Sequence, residues 1–405
     1  MNNIFKFSYK ILNIRADYKL AIIFLITAIM RPSMPLAVYR PYQGYRLVVC
    51  IVLILWALHR QRRVFFKLTP ILLYSIVIPL SSIINHRGAS NLTSSVVALL
   101  MYFAIFLTIA KFLERYDLTS LYHLLLRVFF VYTVVNDVTV FMQGGSATRM
   151  IRYLVGTKFS VAYLHWMLLA LFAFSGIYEH GVKKNLKVWL FFAESVVIVM
   201  ITRCTTGILG LILLMVIWLT HHTRFVKWLL NRKHIPITFG ASVLVYLGLD
   251  LILKNSFINN IITSLLNESL TLTGRTTIYS YLSAIIAKKP WLGYGAESEV
   301  VKQTVGWGGN TQNGIMQTLV FYGVIGLVGL VAAILICCLK GRNDTSDTEA
   351  STVMIILLLV ASIVEISFNY YFFLSLAIIF AKANLSDQPY PAVNTARRGL
   401  KFVLR

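Results

Sequence analysis

Apolar segments long enough to cross a bilayer recur along this 405-residue chain and constrain its fold more than any other feature. A membrane-spanning helix needs about 20 predominantly apolar residues. Only 13% of the residues are charged, whereas about a quarter are charged in a soluble protein. The pattern predicts an all-α polytopic membrane protein with about 12 transmembrane helices. The predicted segments are 19–30, 46–58, 68–84, 92–110, 118–142, 159–178, 187–202, 204–220, 235–253, 314–339, 351–366 and 368–381.

The distribution of basic residues predicts the orientation in the membrane. If the N-terminus is cytoplasmic, 24 of the 38 Lys and Arg residues fall on the cytoplasmic side, and the bias holds loop by loop. The expected location is the bacterial inner (plasma) membrane, crossed many times, with both termini cytoplasmic. Much of the net charge of +23 then reflects topology and attraction to membrane lipids, and no nucleic-acid partner is expected.

One extramembrane segment is long enough to have structure of its own, and it defines the domain organisation. We expect transmembrane helices 1–9 in residues 1–253, an extracytoplasmic loop in 254–313, helices 10–12 in 314–382 and a basic cytoplasmic tail in 383–405. Within the loop, an amphipathic helix is predicted to begin at Thr273 or Gly274 and to end at Pro290. Its apolar positions, expected to face the bundle, are Ile278, Tyr281, Leu282, Ile285 and Ile286. Such a loop is typical of a lid or a substrate clamp.

The cations on the predicted outer side carry functional information, because the positive-inside rule disfavours them there. They indicate an anionic ligand, although contact with anionic lipid headgroups would also explain them. Arg203 is the most singular, since the surrounding VIVMITRCTTGILGLILLM is otherwise apolar. An arginine at the centre of a span costs about 2.5–3.5 kcal/mol on the insertion scale. Arg203 is therefore expected either to reach the interface or a carboxylate, or to bind phosphate oxygens bidentately.

Two stretches late in the chain resemble the signature region of the O-antigen ligase and polymerase superfamily. They are TGRTTIYSYLSAIIAKKPWLGYG, which begins at Thr273, and NTQNGIMQTLVFYGVIGLVGL, which begins at Asn310. In that superfamily a Gly-Arg helix leads into a Pro-x-x-Gly-x-Gly turn, and a His-Asn pair precedes a span with a Gly-x-x-Gly pattern. The ITRCTTG stretch around Arg203 resembles a further arginine-containing span of the superfamily. The resemblance covers about 140 residues, from Ile198 to Leu339.

The resemblance implies an enzyme that moves a glycan from a polyprenyl-diphosphate-linked oligosaccharide to an acceptor hydroxyl on the outer face. Such a reaction needs charge stabilisation at the diphosphate and alignment of the acceptor. We expect Arg203 and Arg275 to contact the diphosphate, with Arg149 and Arg152 as weaker candidates. No cofactor and no metal are expected, because the sequence has no Asp-x-Asp pair and no His/Cys cluster. Tyr294 and Trp307 could stack on sugars or belong to the interfacial aromatic belt.

One departure from the superfamily pattern separates two activities. Gln312-Asn313 stands where the superfamily has His-Asn, and glutamine cannot act as a base near neutral pH. This favours polymerisation of repeat units into O-antigen, capsule or exopolysaccharide over ligation to lipid A core. Gln312 and Asn313 remain candidate substrate-binding residues. If a base is needed, Glu297 and Glu299 are the candidates, with Glu268 and His86 behind them, and each could equally be a solvated surface residue.

A lipid-linked oligosaccharide flippase or another secondary transporter is the main alternative of a different class. A transporter would place ionisable residues near mid-span, and Asp137, Glu194 and Glu365 are possible carboxylates of this kind. No pair of matching halves is apparent, and the charged residues concentrate on one outer loop. A non-enzymatic scaffold is the third possibility. A polymerase could also have a chain-length regulator and a flippase as partners.

Overall fold

The computed structural model describes residues 14–30, 36–59, 64–85, 89–144, 153–176, 186–249, 252, 255, 275–306, 310–341 and 346–385. These residues form fifteen α-helices and two short 3₁₀ turns. The helices are Ala16–Ile29 (α1), Leu36–Leu58 (α2), Val64–Ile84 (α3), Ala89–Leu113 (α4), Leu118–Gln143 (α5), Lys158–Phe174 (α6), Leu186–Ile201 (α7), Thr205–Leu219 (α8), Arg224–Leu229 (α9), Ile235–Leu247 (α10), Arg275–Lys288 (α11), Val300–Val305 (α12), Gly314–Leu339 (α13), Glu349–Ala361 (α14) and Tyr370–Leu385 (α15).

The helices confirm an all-helical polytopic membrane protein. Among the described residues, five helices are long and apolar enough to cross a membrane, namely α2, α3, α4, α5 and α13. Four shorter helices, α6, α8, α14 and α15, are also apolar. Each of the twelve segments predicted from the sequence contains a helix, and α1, α7 and α10 account for the remaining three. That all twelve cross the membrane stays a prediction.

Two groups of helices make up the core. In the first, α4 packs against α2, α3 and α15, while α13 packs against α3. In the second, α6 packs against α5, α7, α8 and α14, and α14 joins the two groups through its contact with α15. Trp166 of α6 is fully buried because Gly210 of α8 lies against its ring, where a Cβ would stand 1.9 Å from the nearest ring carbon. Helix α8 can therefore approach α6 closely.

Three long-range contacts mark one end of the bundle. Ser81 of α3 contacts the turn after α11, Lys158 at the start of α6 contacts the turn after α7, and Arg275 of α11 pairs with the turn after α14. We call this end of the bundle the loop end. The opposite end holds the Lys67–Glu114 ion pair and the His221–Glu349 pair. Arg203, Arg275, Gln312 and Asn313, which are outer-side candidates within the described residues, lie at the loop end, whereas the sidedness of the membrane remains a prediction.

Helix α11 confirms the amphipathic helix expected within the loop. Ile278, Leu282 and Ile285 are buried, and they pack with Val301 and Val320 in a small apolar cluster of their own. Tyr281, expected on the same face, is instead 44% exposed. Its backbone position lies at the edge of the apolar stripe, and its ring is not needed to fill the cluster. The predicted first residues, Thr273 and Gly274, lie outside the described residues.

Candidate functional site

An ion pair joins α11 to the turn between α14 and α15. The guanidinium Nη2 of Arg275 lies 3.3 Å from the Glu365 carboxylate, and the two side chains are 16% and 6% exposed. A carboxylate as buried as that of Glu365 is costly unless it is paired, and the charge of Arg275 supplies the partner. Glu365 therefore fixes the position of Arg275 where α11 begins. Glu365 lies 90 positions from Arg275 in the sequence, yet it is the ion-pair partner of this signature arginine.

Arg203 lies in the tight turn between α7 and α8, at the same end of the bundle. Its side chain is exposed, and its backbone is left-handed with φ of 52°. The amide of Arg203 donates to the carbonyl of Met200 at 2.9 Å, and its own carbonyl accepts from Lys158 Nζ at 3.0 Å. Lys158 is the first residue of α6, so α6 holds the turn that presents Arg203.

The two arginines belong to one cluster of charged residues at the loop end. Cys204, which follows Arg203 in the chain, lies within electrostatic reach of Lys158, Glu365 and Arg275. Arg275 and Lys158 thus lie near one buried carboxylate, that of Glu365, and Lys158 bonds to the backbone carbonyl of Arg203. We call Arg203, Arg275, Lys158 and Glu365 the arginine cluster. An excess of cations in one region suits an anionic ligand.

Backbone strain marks the same region. Among the described residues, the non-glycine residues with positive φ are Arg203, Glu297 and Gln312, at 52°, 54° and 51°. Only a few per cent of non-glycine residues adopt this conformation. Such strain costs about 1–3 kcal/mol per residue and concentrates at functional sites. All three were site candidates from the sequence alone, where backbone strain is invisible.

The Pro-Trp-Leu-Gly-Tyr-Gly turn, Pro290–Gly295, docks into a break in α13. Helix α13 departs from helical geometry at Gly323, which has φ of 65° and ψ of −165°. The turn pairs with the broken helix through four backbone hydrogen bonds, two on each side of the break, formed by Tyr294, Gly295, Val324 and Ile325 as donors. A Cβ at Gly323 would lie 2.2 Å from the carbonyl oxygen of Trp291. Only glycine permits this approach, which explains the glycines of the signature.

The end of α3 fixes this turn from its other side. Ser81 Oγ donates to the carbonyls of Phe321, at 2.8 Å, and Leu292. The Asn85 side chain donates to the Gly293 carbonyl at 2.9 Å and accepts from Lys289 Nζ. The loop is therefore tied to the bundle by side chains some 200 residues away in sequence, and it forms a rigid support for the site.

Gln312 and Asn313 occupy different environments at the start of α13. Asn313 is fully buried and caps the helix, its side chain accepting from the Met316 amide at 2.8 Å and donating to the Ile363 carbonyl at 2.9 Å. Gln312 is partly exposed, and its side-chain amide donates to Asn310 Oδ1 at 2.7 Å. Tyr279 of α11 donates to the Gln312 carbonyl at 2.8 Å. Of the two, Gln312 is the one with surface to offer a substrate.

The other candidates that the structure describes contact residues outside the arginine cluster. Glu297 is exposed and accepts a hydrogen bond from Ser94 at 3.0 Å, while Glu299 is 64% exposed and lies 3.7 Å from Lys302. Tyr294 donates to the Ile285 carbonyl at 3.0 Å, and Lys289 Nζ lies 5.1 Å from the centre of its ring. Arg149, Arg152 and Trp307 lie outside the described residues, as do Glu268 and His86.

Sequence reasoning missed the roles of Glu365 and Lys158. In the sequence, Glu365 is one of three possible mid-span carboxylates of a transporter, and nothing distinguishes Lys158 from the other basic residues of the predicted outer side. A lone carboxylate within the apolar stretch ASIVEISF is a signal that a cationic partner exists. The identity of that partner required the fold.

Residues 190–331 match the O-antigen ligase family, Wzy_C. This segment carries an O-antigen ligase domain, of the kind shared by ligases and polymerases. It extends from α7 into α13 and includes Arg203, Arg275, the Pro290–Gly295 turn, Gln312 and Gly323, whereas Lys158 and Glu365 lie outside it. A comparison with curated proteins finds no match. Enzymes of this family transfer glycans from lipid-linked donors, and the matched segment relates this membrane protein to that type of glycosyl transfer.

Proposed function

We propose that the protein is a polymerase that joins polyprenyl-diphosphate-linked oligosaccharide repeat units at the outer face of the inner membrane. Its product would be O-antigen, capsule or exopolysaccharide. The observation that carries the proposal is the arginine cluster, in which Arg203 and Arg275 of the O-antigen ligase domain lie at one end of the bundle with Lys158 and Glu365.

The arginines would stabilise the diphosphate of the donor as it leaves. In the reaction the acceptor hydroxyl oxygen bonds to the anomeric carbon, the bond from that carbon to the diphosphate oxygen breaks, and the hydroxyl proton is released. The negative charge that develops on the diphosphate is met by guanidinium groups that are already in place. Arg275, held by Glu365, supplies a fixed donor fork, and exposed Arg203 supplies a second one.

Residues next to the arginine cluster would align the acceptor sugar. Gln312 offers its partly exposed amide beside Asn310, and the Tyr294 ring lies near α11. Asn313 would have a structural role, because its side chain links the start of α13 to the Ile363 carbonyl. Arg149, Arg152 and Trp307 remain proposed contacts to donor and sugar. Glu297 is the proposed acceptor of the hydroxyl proton, with Glu299 as the alternative.

The polymerase is preferred to a ligase because of Gln312. A glutamine can hydrogen-bond to an acceptor, but it cannot remove a proton near neutral pH. Asn310 orients the side-chain amide of Gln312, and the Gln312 backbone has a positive φ. Both features support a specific role for an amide at this position. Ligation to lipid A core is the second candidate activity, since the domain is common to both reactions.

Deletion of the gene, followed by gel electrophoresis of surface polysaccharide, tests the proposal. A polymerase deletion leaves single repeat units on the surface and removes the long ladder, and complementation with Arg203→Gly or Arg275→Ala fails to restore it. Lys302→Ala is the matched control, because Lys302 is an exposed cation of the same loop, 3.7 Å from Glu299. A ladder that stays on the lipid carrier would identify a ligase. Restoration of the ladder by both arginine variants would contradict the proposed role of the cluster.

A further inference from the structure

A second group of ionisable side chains lies inside the bundle, away from the arginine cluster. Asp137 of α5, His165 of α6 and Glu194 of α7 place one potential ligand atom each within 4.8 Å of one another. His165 is fully buried, and the Asp137 and Glu194 side chains are 10% and 37% exposed. These three residues are 28 and 29 positions apart in the sequence, so no short sequence motif contains them.

We propose that Asp137, His165 and Glu194 bind a divalent cation of the Zn²⁺ class, which braces α5, α6 and α7 and thereby positions the turn of Arg203. One imidazole and two carboxylates are donors that zinc uses in proteins, often with a fourth position left to water. The imidazole nitrogen distinguishes this set from the all-oxygen sites of Mg²⁺ and Ca²⁺.

The geometry is close to that of a formed site. His165 Nε2 lies 3.1 Å from Asp137 Oδ1. Two ligands of a tetrahedral zinc ion, each about 2.1 Å from the metal, lie about 3.4 Å apart. Glu194 Oε2 lies 3.7 Å from the other ring nitrogen, Nδ1. Glu194 would need only a side-chain rotation to complete the set, because the three helices already bring the ligands together.

The surrounding hydrogen bonds also fit metal ligation. Histidine ligands usually bind the metal through one ring nitrogen and donate the N–H of the other to a neighbouring acceptor. His165 Nδ1 lies 2.9 Å from Ser195 Oγ, so Nε2 is the nitrogen available on the Asp137 side. The Asn136 side chain donates to Asp137 Oδ1 at 3.3 Å and orients that carboxylate.

Charge balance points in the same direction. In the part of the chain that the structure describes, the ion pairs of Asp137 and Glu194 are with His165, and no lysine or arginine pairs with either. Two carboxylates in an apolar bundle are costly unless they are neutralised or paired. One divalent cation would neutralise both and leave the histidine neutral, which is the form that binds metal.

The site lies close enough to the arginine cluster to position it without touching the donor. Ser195 precedes Arg203 by eight residues, and the part of this distance within α7, from Ser195 to Ile201, is about 9 Å of helix. The cation would fix α7 against α6, whose first residue, Lys158, holds the Arg203 carbonyl. This role is structural, and it is independent of whether the glycan transfer itself uses a metal.

Metal analysis of the purified full-length protein in detergent tests the proposal. The chelator-treated protein is titrated with Zn²⁺ alone, and bound metal and Tm are measured for wild type, Asp137→Asn/Glu194→Gln and Ser195→Ala. We expect about one Zn²⁺ per chain and a Tm that rises with Zn²⁺ concentration in the wild type. The double variant, which keeps the shapes of both side chains, should lose both effects, and Ser195→Ala should bind about 10- to 100-fold more weakly.

The control separates this site from other histidine–carboxylate pairs. His221→Gln removes the pair with Glu349, 2.8 Å apart at the opposite end of the bundle, and should leave Zn²⁺ binding unchanged. Wild-type protein without bound metal and without a Zn²⁺-dependent Tm would overturn the proposal. The double variant would then match the wild type, and the three side chains would share protons instead. The proposed polymerase activity stands or falls separately, because it is measured by the glycan ladder.

Discussion

The guanidinium of Arg275 lies 3.3 Å from the carboxylate of Glu365, and this contact ties the start of the loop helix to the turn between the last two helices. The arginine belongs to the O-antigen ligase domain and the glutamate does not. The site therefore extends beyond the segment that defines the family. In the proposed reaction, Glu365 would hold Arg275 in place to meet the diphosphate.

Removal of Arg275 alone should destabilise the protein, because Glu365 is left buried without its partner. Breaking a buried ion pair by deleting one partner costs about 3–5 kcal/mol. We expect Arg275→Ala to lower Tm, and the double variant Arg275→Ala/Glu365→Gln to recover most of that loss. Neither variant should transfer glycan. A double variant with normal activity would contradict the role of Arg275, whatever its stability.

Replacement of Arg203 should separate activity from stability. The left-handed backbone of Arg203 costs about 1–2 kcal/mol for a residue with a Cβ, and its side chain is exposed. Arg203→Gly should therefore keep a Tm at or near the wild-type value while glycan transfer is lost. Thermal unfolding and transfer assays on the same preparation check this. A large fall in Tm would mean that Arg203 has a structural role that the turn does not reveal.

Gly323 of the signature and Gly306, which lies between the two signature stretches, should differ in their tolerance of a side chain. At Gly323 a Cβ would lie 2.2 Å from the Trp291 carbonyl oxygen, whereas at Gly306, also with positive φ, no atom of the described residues lies within 4 Å. Gly306→Ala should cost only the backbone strain, about 1–2 kcal/mol. Gly323→Ala should cost more, because the Pro290–Gly295 turn must leave the break in α13. Equal losses of Tm would contradict the proposed docking of the turn.

The two glutamates after the turn should contribute unequally to transfer. Glu297 has a strained backbone and a hydrogen bond to Ser94 of α4, whereas Glu299 is 64% exposed and lies near Lys302 one helical turn away. We expect Glu297→Gln to reduce the rate of transfer more than Glu299→Gln does. A general base typically contributes about 10²–10⁴-fold. The reverse order of effects would assign the proton to Glu299.

The sequence predicts the helices well and the contacts poorly. The apolar periodicity located all twelve helical segments and α11, because burial of apolar residues determines both the pattern and the helix. Tyr281 shows the limit, since an aromatic residue at the edge of a stripe satisfies the periodicity without being buried. The Arg275–Glu365 and Lys158–Arg203 contacts were not predictable, because each joins residues that are brought together only by the packing of different helices.

The residues with positive φ likewise show which features the sequence predicts and which depend on the fold. Resemblance singled out Arg203 and Gln312 by residue type, but their positive φ values follow from turns whose shape depends on tertiary contacts. The break at Gly323 is of this kind too: the sequence suggests a continuous span, and the inserted turn supplies the hydrogen bonds that the helix gives up.

In the proposed reaction, the arginine cluster stabilises the lipid diphosphate while a glycan repeat unit is transferred from it. The most direct measurement is transfer by the purified protein, reconstituted in vesicles with polyprenyl-diphosphate-linked repeat units and followed by the length of the glycan product. We expect a ladder of products for wild type and for Lys302→Ala, and single repeat units for Arg203→Gly and Arg275→Ala/Glu365→Gln. A ladder of wild-type length from both arginine variants would contradict it.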